Sequence, residues 1–432
     1  NPYLTFEPIK GLVFKTQFGI NGRFRISDYF TPNFFIDNLE QNQNSKAERR
    51  SNTWMDWTWN NTVNYMKTIN EKHNLNLMAG YTMERYSNYW LTGSREAIPS
   101  NLPELQYPSA GTINPQASGT DSHNSLISYL GRVMYNYDNR YYVTASMRVD
   151  GSSRFPVGEK YAVFPSGSVS WRISEENFMK DQNLFQNLKL RAGWGRVGNQ
   201  NIASGAYLNL IGNSDYVFNG ERFVGTSISQ VGNSLLKWET VEDINVGIDM
   251  GMLDNRLEIT ADWFRKKSSD MLMERNNLLV LGYPMWDGRM WTNVGSMKAQ
   301  GWELSFNWRD KVREFNYGVG LNLSSIKNTA LKFTGESPLY GGSFFNDYIT
   351  KNEEGKEISR FWGYIADGIF QNWTEVYNHT NDAGTRIQPD AQPGDIRFRD
   401  VNGDGTLDEN DKQSIGNGFP ALILGVNFNL AY

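Results

Sequence analysis

The sequence predicts an all-β, antiparallel transmembrane β-barrel. Three observations carry that prediction: long runs of strict two-residue alternation, connections that switch between tight turns and long loops, and aromatic rings gathered at strand ends. The alternation is clearest from Ile127 to Val149. Ile127, Tyr129, Val133, Tyr135 and Tyr137 share one parity, and Ser128, Arg132 and Asn136 share the other. After the turn Asp138-Asn139-Arg140, Tyr141, Val143, Ala145, Met147 and Val149 oppose Thr144, Ser146 and Arg148. This is a hairpin with one apolar and one polar face. Each arm runs for about ten residues, against ~5–6 for a globular strand and ~9–11 for a tilted strand that crosses a bilayer. Arg132 and Arg148 stand mid-strand on the polar face, where a packed soluble core rarely accommodates them and a water-filled lumen does.

The remaining elements repeat the pattern in order. From Gly11 to Asn21, Leu12, Phe14, Phe18 and Ile20 alternate with Lys15, Gln17 and Asn21, before an Asn-rich polar stretch to about Thr53. Trp57, Trp59, Val63 and Tyr65 mark the next strand, and Leu75, Leu77, Ala79, Tyr81 and Met83 the one after. A Ser/Pro/Gly-rich loop from Arg85 to His123 leads into the hairpin. Beyond Asp150, strands follow through Tyr161–Arg172, Leu188–Trp194, Trp238–Met250, Leu257–Trp263, Trp302–Trp308, Phe315–Leu323 and Leu422–Leu430. Glu175 to Gln186 has room for one or two helical turns. That makes roughly a dozen strands, with long loops at Gly22, Arg85, Val197, Lys267 and Ile326 taking turns with shorter links at Lys67, Asp138, Glu175, Gly251 and Asp310; the Asp150–Lys160 loop falls on the long-loop side but is only medium in length. Sorting loops by side is a property of outer-membrane barrels, and no repeat near the ~40–50 residues of a propeller blade appears. Tyr137 and Tyr141, Trp308 and Phe315, and Trp171 and Trp194 sit where interfacial girdles place amphipathic rings.

Composition narrows the function. The 432 residues carry 42 basic and 47 acidic side chains and no cysteine. There is no basic field for nucleic acid, and no disulfide framework, thiol catalysis or cysteine metal site. Mean hydropathy is −0.56 and apolar runs are short, so no helix is expected to span a membrane; a barrel needs only every second residue apolar. His73, His123 and His379 fall in separate links and loops and read as solvent-exposed, with no Ser/His/Asp order, so no enzyme activity is expected. Arg49-Arg50 and Lys266-Lys267 read as solvated faces or contacts to anionic lipid headgroups.

One segment has the spacing of a calcium loop, from Asp400 to Asp411. Asp400, Asn402 and Asp404 supply oxygens at the first, third and fifth positions, Gly405 turns the chain at the sixth, the Thr406 carbonyl follows, and Asp408 and Asp411 complete the set. The twelfth position is Asp rather than Glu, a shorter arm that weakens the site or favours a smaller ion. A structural Ca2+ is expected there.

Several segments together resemble the SusC/RagA-type TonB-dependent outer-membrane transporters of Bacteroidetes. They include Tyr137-Asp138-Asn139-Arg140-Tyr141, Asp150-Gly151-Ser152-Ser153-Arg154-Phe155, Leu188-Lys189-Leu190-Arg191-Ala192-Gly193-Trp194-Gly195 and Leu236-Lys237-Trp238-Glu239-Thr240. Asn293-Val294-Gly295-Ser296-Met297, Gly301-Trp302-Glu303-Leu304, Asp367-Gly368-Ile369-Phe370-Gln371 and Pro393-Gly394-Asp395-Ile396-Arg397-Phe398 follow in the family's order.

The resemblance implies a 22-strand barrel with an N-terminal plug, a TonB–ExbB–ExbD contact, a SusD-like lipoprotein lid, and oligosaccharide or peptide uptake by a possible dimer of SusCD pairs in the Gram-negative outer membrane. The expectation is that residues 1–432 are the middle-to-late part of that barrel, with plug and closing strands outside them and residues 326–420 a long extracellular insertion. A siderophore or cobalamin receptor, and less so an outer-membrane barrel enzyme such as a lipase or protease, are the alternatives. At a transporter mouth, the loop aromatics Tyr283, Trp286, Trp291, Tyr340, Phe344, Phe345 and Tyr348 become candidates for stacking on substrate, with Trp286, Trp291, Phe344, Phe345 and Tyr348 as the substrate-contact set.

Overall fold

The computed structural model describes residues 1–276, 289–333, 338–344 and 347–432. Thirteen strands among them make up the main antiparallel ladder. They are β1 Tyr3–Ile9, β2 Leu12–Thr31, β3 Lys46–Ile69, β4 His73–Glu96, β5 Ile113–Tyr137, β6 Tyr141–Ser152, β7 Tyr161–Arg172, β8 Phe185–Asn199, β9 Glu239–Met252, β10 Leu257–Ser269, β11 Ser296–Val312, β12 Phe315–Lys332 and β13 Ile423–Ala431. The chain divides into two compact units, residues 1–169, 195–238 and 274–292, and residues 170–194, 239–273 and 293–432. In the first, ladder neighbours run from β1 to β7 in chain order; in the second, from β8 to β13.

Turn chemistry fixes the registers. Asp138 and Asn139 adopt φ of 50° and 54°, the left-handed region that Asn and Asp tolerate. Tyr137 therefore pairs with Tyr141, and the alternating arms zip so that Tyr129 faces Val149 and Val133 faces Ala145. Leu253, Asp254 and Asn255 do the same for β9 and β10, where Met252 pairs with Leu257. Tight turns at 10–11, 70–72, 138–140, 253–256 and 313–314 take turns with longer connections, except that 153–160 is shorter than 173–184, so within each unit the tight turns fall at one end of an antiparallel ladder.

Each ladder is inside-out by the standard of a soluble protein. On β5, Ser128 is 0% exposed and its neighbour Tyr129 is 51% exposed. Ser152, Thr82 and Asp150 are buried, while Phe14, Phe18, Val133, Val143, Met147, Val163, Trp194, Val246 and Trp263 face outward. A sheet with one long apolar face uncovered needs an apolar surround, and lipid supplies it. No helix among the described residues is long and apolar enough to cross a membrane, so the spanning is left to strands.

The ladder extends further than alternation predicts. β3 and β4 each run 24 residues and β5 runs 25. Much of the Asn-rich stretch after Gly22 and of the loop after Arg85 is therefore strand, because backbone pairing continues after the apolar band has ended. β1 was without a clear alternation signal and pairs with β2 from Tyr3–Gln17 to Ile9–Leu12. The Glu175 region forms two short 3-10 turns, Ile173–Glu175 and Asn177–Met179.

The long connections carry structure of their own. Leu210–Phe218 pairs with Glu221–Gln230 as a hairpin. Between β12 and β13 a four-stranded sheet forms from Leu339–Phe344, Asp347–Asn352, Arg360–Gly363 and Gln413–Asn417. A second pair, Ala366–Ile369 with Ile396–Phe398, and a six-residue helix, Trp373–Asn378, fill the same segment. The helix is anchored by Phe370, Val376 and Ala391, all buried.

Candidate functional site

Polar side chains of the buried parity are the first part of the site. In the first unit, Arg148 donates through Nε to Asp150 Oδ1 at 2.6 Å and through Nη2 to Ser128 Oγ at 2.9 Å. Asn76 Oδ1, Asn136 Oδ1 and Arg132 Nε are buried with no protein partner, and a cavity of about 910 Å³ is lined by Asn74, Asn76, Asn136, Tyr142 and Thr144 with Glu7 and Lys10. Buried polar atoms left over in this way call for water or for another polar surface. In the second unit, Arg191 bridges two strands, with Nε 3.1 Å from Asp249 Oδ2 and Nη2 2.7 Å from Asp262 Oδ2. Gly247 makes room for it: a Cβ there would stand 2.4 Å from Asp262 Oδ1 and 2.8 Å from Arg191 Cζ.

A second feature was not legible in the alternation. Trp238 reads as the start of an outward face, yet it is 6% exposed, packed between Phe155 and Phe164 with ring centroids 5.1 and 5.5 Å away. Its Nε1 donates to the Lys160 carbonyl at 2.9 Å. Leu236 and Ile202 are buried as well, and Arg154 Nη1 donates to the carbonyls of Ile202 at 2.7 Å and Gln200 at 3.3 Å. Gly198 lets the Phe164 ring in, since a Cβ there would stand 2.1 Å from it. The Asp-Gly-Ser-Ser-Arg-Phe and Leu-Lys-Trp segments thus meet in one apolar cluster that ties two connections, 153–160 and 200–238, to β7 and β8. Their recurrence as family-like motifs was the available signal.

The Asp400–Asp411 loop closes on its own amides. Asp400 accepts from Gly403 N and Gly405 N, both at 2.7 Å, and Asp404 Oδ1 accepts from Thr406 N at 2.9 Å and Thr406 Oγ1 at 2.7 Å. Asp408 caps a 3-10 turn and accepts from Asn410 N at 2.7 Å. Asn402 Oδ1 accepts from Asp404 N at 3.0 Å. Gly403 and Gly405 have φ of 74° and 85°, left-handed positions suited to glycine. Asp411 is fully buried and accepts from Val401 N and Asp408 N at 2.8 Å. Burial pushes its carboxyl up, and the backbone donors outweigh burial and hold it below its ordinary value. Next to it, Lys412 is buried against Asp347 at 2.6 Å and Glu409 at 2.7 Å. Burial lowers its pKa, and those two carboxylates more than restore it.

The donor set fits a hard cation in chemistry, all oxygen and mostly anionic. Its placement is that of a self-bonded loop: among the described residues no three His, Cys, Asp or Glu side chains are grouped as around a metal ion.

The loop aromatics separate. Tyr340 and Tyr348 stack at 5.4 Å, and Phe344 is exposed beside them on the four-stranded sheet. Trp291 is half-buried, and its carbonyl accepts from Asn233 Nδ2 at 3.0 Å. Tyr283, Trp286 and Phe345 lie outside the described residues. The three histidines are half-buried rather than solvent-exposed: His73 bonds Tyr135 Oη at 2.7 Å, His123 bonds Asp121 at 3.0 Å, and His379 packs on Phe370.

Residues 4–413 match the family model described as TonB dependent receptor-like, beta-barrel. TonB-dependent receptor P3 of Formosa agariphila is 29% identical over 439 residues, covering 100% of this chain and 42% of that protein. TonB-dependent receptor SusC of Bacteroides thetaiotaomicron is 33% identical over 318 residues, covering 72% of this chain and 30% of that protein. A solved structure of the RagAB peptide transporter shares the fold, with a TM-score of 0.79 and 22% identity over 100% of this chain and 45% of that one. The chain spans less than half the length of these relatives. With its outward apolar faces, polar buried parity and motif-built loop anchor, the chain belongs to the outer-membrane TonB-dependent receptor β-barrel family, of the SusC/RagA type.

Proposed function

We propose that the whole protein is a TonB-dependent importer that takes up oligosaccharides or peptides through the outer membrane. The observation that carries this reading is the family match over residues 4–413 on ladders whose buried parity is polar and whose exposed parity is apolar. RagAB, which shares the fold, is a peptide transporter. A SusD-like lipoprotein would cover the long connections, with residues 326–420 on the extracellular side, and the importer would work as a dimer of such pairs. The TonB–ExbB–ExbD complex would supply the inner-membrane proton gradient as force. No covalent step is needed: the polar parity offers substrate hydrogen bonds and charge, and the Phe155/Trp238 anchor holds the connections around the mouth.

We include a structural Ca2+ at Asp400, Asn402, Asp404, the Thr406 carbonyl, Asp408 and Asp411 in this reading. The donor spacing supports it. Because the loop already closes on its own amides, the ion would stiffen the segment rather than create it.

Uptake in cells tests the reading. A strain lacking the protein is grown on panels of oligosaccharides and of peptides, with and without an uncoupler of the proton gradient. Loss of growth on one panel, restored by the gene and abolished by the uncoupler, is expected. Growth unaffected on both panels would overturn it.

A further inference from the structure

Trp373 and Tyr377 are not among the aromatics that the sequence singles out. They lie one helical turn apart on the helix Trp373–Asn378, with ring centroids 5.8 Å apart and planes 25° from parallel. Both rings are half in solvent, at 50% and 58% exposure. Their support is fixed. Asn372 Oδ1 accepts from Glu375 N at 3.0 Å, Gln371 N donates to Glu375 Oε2 at 3.0 Å, and Val376 on the same helix is buried with Phe370 and Ala391. The Arg386 guanidinium stands 5.6 Å from the Tyr377 ring centroid. The arrangement recurs on the same unit: Tyr340 and Tyr348 stack at 5.4 Å and 27°, both about half exposed, with the Lys351 ammonium 5.8 Å from the Tyr340 ring. Two ring pairs, each with a cation at one ring, leave large apolar faces that the described residues do not cover.

We propose that Trp373 and Tyr377 form an oligosaccharide-stacking platform, with Tyr340 and Tyr348 as a second one. The inference rests on the importer reading and names its substrate class. A pyranose has an apolar C–H face that lies flat on an aromatic ring and a hydroxyl edge that needs donors and acceptors at the rim. The exposed residues around the first pair, Gln371, Asn372, Thr374 and Asn378, are all neutral and polar, and Arg386 adds a fork of donors. A peptide side chain asks instead for a walled apolar pocket, and among the described residues the half-exposed rings are flanked along the chain by these exposed polar side chains.

The test is a binding array probed with the full-length protein in detergent. It carries immobilised α- and β-linked glucan, mannan, galactan and fructan oligosaccharides beside a peptide library. Wild type is compared with Trp373→Ala, Tyr377→Ala, the double variant, and Trp373→Phe with Tyr377→Phe. Saccharide binding is expected, weakened about threefold to tenfold for each ring removed and restored by the Phe variants, and an unchanged pattern of limited proteolysis in the Ala variants shows that the segment around the helix still folds. The proposal is overturned if no saccharide binds, if the double Ala variant binds saccharide as wild type does, or if peptides bind in a ring-dependent way. Gradient-driven uptake by the same cells separates the two ideas: uptake that persists while the array result fails removes the platform alone, and absent uptake removes the importer.

Discussion

Replacing Val133 by Arg separates a lipid-facing surface from a water-facing one. Val133 is 46% exposed, and for a soluble protein a change at such a site falls within about 0.5 kcal/mol. Its position says otherwise. Val133 lies five residues before Asp138 in the tight turn, and its ladder partners are Ala145 and Leu77. At ~3.4 Å per residue and a tilt near 45°, that places it roughly 12 Å from the turn. This is close to the middle of an apolar band ~25 Å tall, where an Arg on the lipid face costs ~2–4 kcal/mol. Met134→Arg is the control, since Met134 has the other parity, lies at the same depth and lines the large cavity; at 39% exposure its expected effect is about 0.5 kcal/mol or less. Denaturant unfolding of the full-length protein in phospholipid vesicles measures both. Equal effects at the two positions, or less than ~1 kcal/mol for Val133→Arg, would refute the assignment of faces.

Four further outcomes follow from the geometry. Trp238→Ala empties the anchor between Phe155 and Phe164 and should lower unfolding stability by ~3–5 kcal/mol, whereas a value under ~1 kcal/mol would mean that the cluster bears no load. Gly247→Ala sets a Cβ against Arg191 and Asp262 and should cost ~1–3 kcal/mol, with the penalty falling when Arg191 is also changed to Ala; an unchanged penalty would contradict the clash. Asp411 has its pKa held below the ordinary carboxyl value, so its contribution is complete above about pH 5 and is lost as pH falls below ~4. Amide protection at Val401 and Asp408, taken relative to the intrinsic exchange rate at each pH, should therefore stay high from pH 7 to pH 5 and fall below pH ~4, and a fall already at pH ~6 would contradict this. If Ca2+ binds the Asp400–Asp411 loop, a chelator will quicken protease cleavage between residues 396 and 416, and an unchanged rate removes the ion from the account.

Much of the ladder was legible because one side of each strand meets lipid. On Tyr161–Arg172 the residues Tyr161, Val163, Val169 and Trp171 face outward as the alternation predicts, and the Asp138 hairpin falls in the register its turn residues dictate. What escaped has physical reasons. The outer halves of β3, β4 and β5 are held by ladder hydrogen bonds in water, where neither face needs to be apolar, so the sequence there looks like loop. Strands such as Ile396–Phe398 and Arg360–Gly363 are too short for a period to show. Trp238 has the parity of a lipid-facing residue and is buried by contacts with Phe155 and Phe164, far away in sequence, which no local pattern encodes. The acidic loop was legible by spacing, but spacing does not tell an ion from a backbone amide as the partner of each carboxylate. Trp373 and Tyr377 gave no signal until the short helix placed them one turn apart.

The most direct test of the central claim is site-directed spin labelling, since these 432 residues carry no cysteine of their own and any outside them is replaced by Ser. Single cysteines at 127, 129, 133 and 135, and at 128, 132 and 136, each carry a spin label in the full-length protein in vesicles. Collision rates are measured with oxygen, which concentrates in lipid, and with a water-soluble nickel chelate. The account predicts a two-residue rhythm, with high oxygen collision at the odd positions and low at the even ones. Oxygen collision that is uniform along the strand, or highest at 128, 132 and 136, would contradict it.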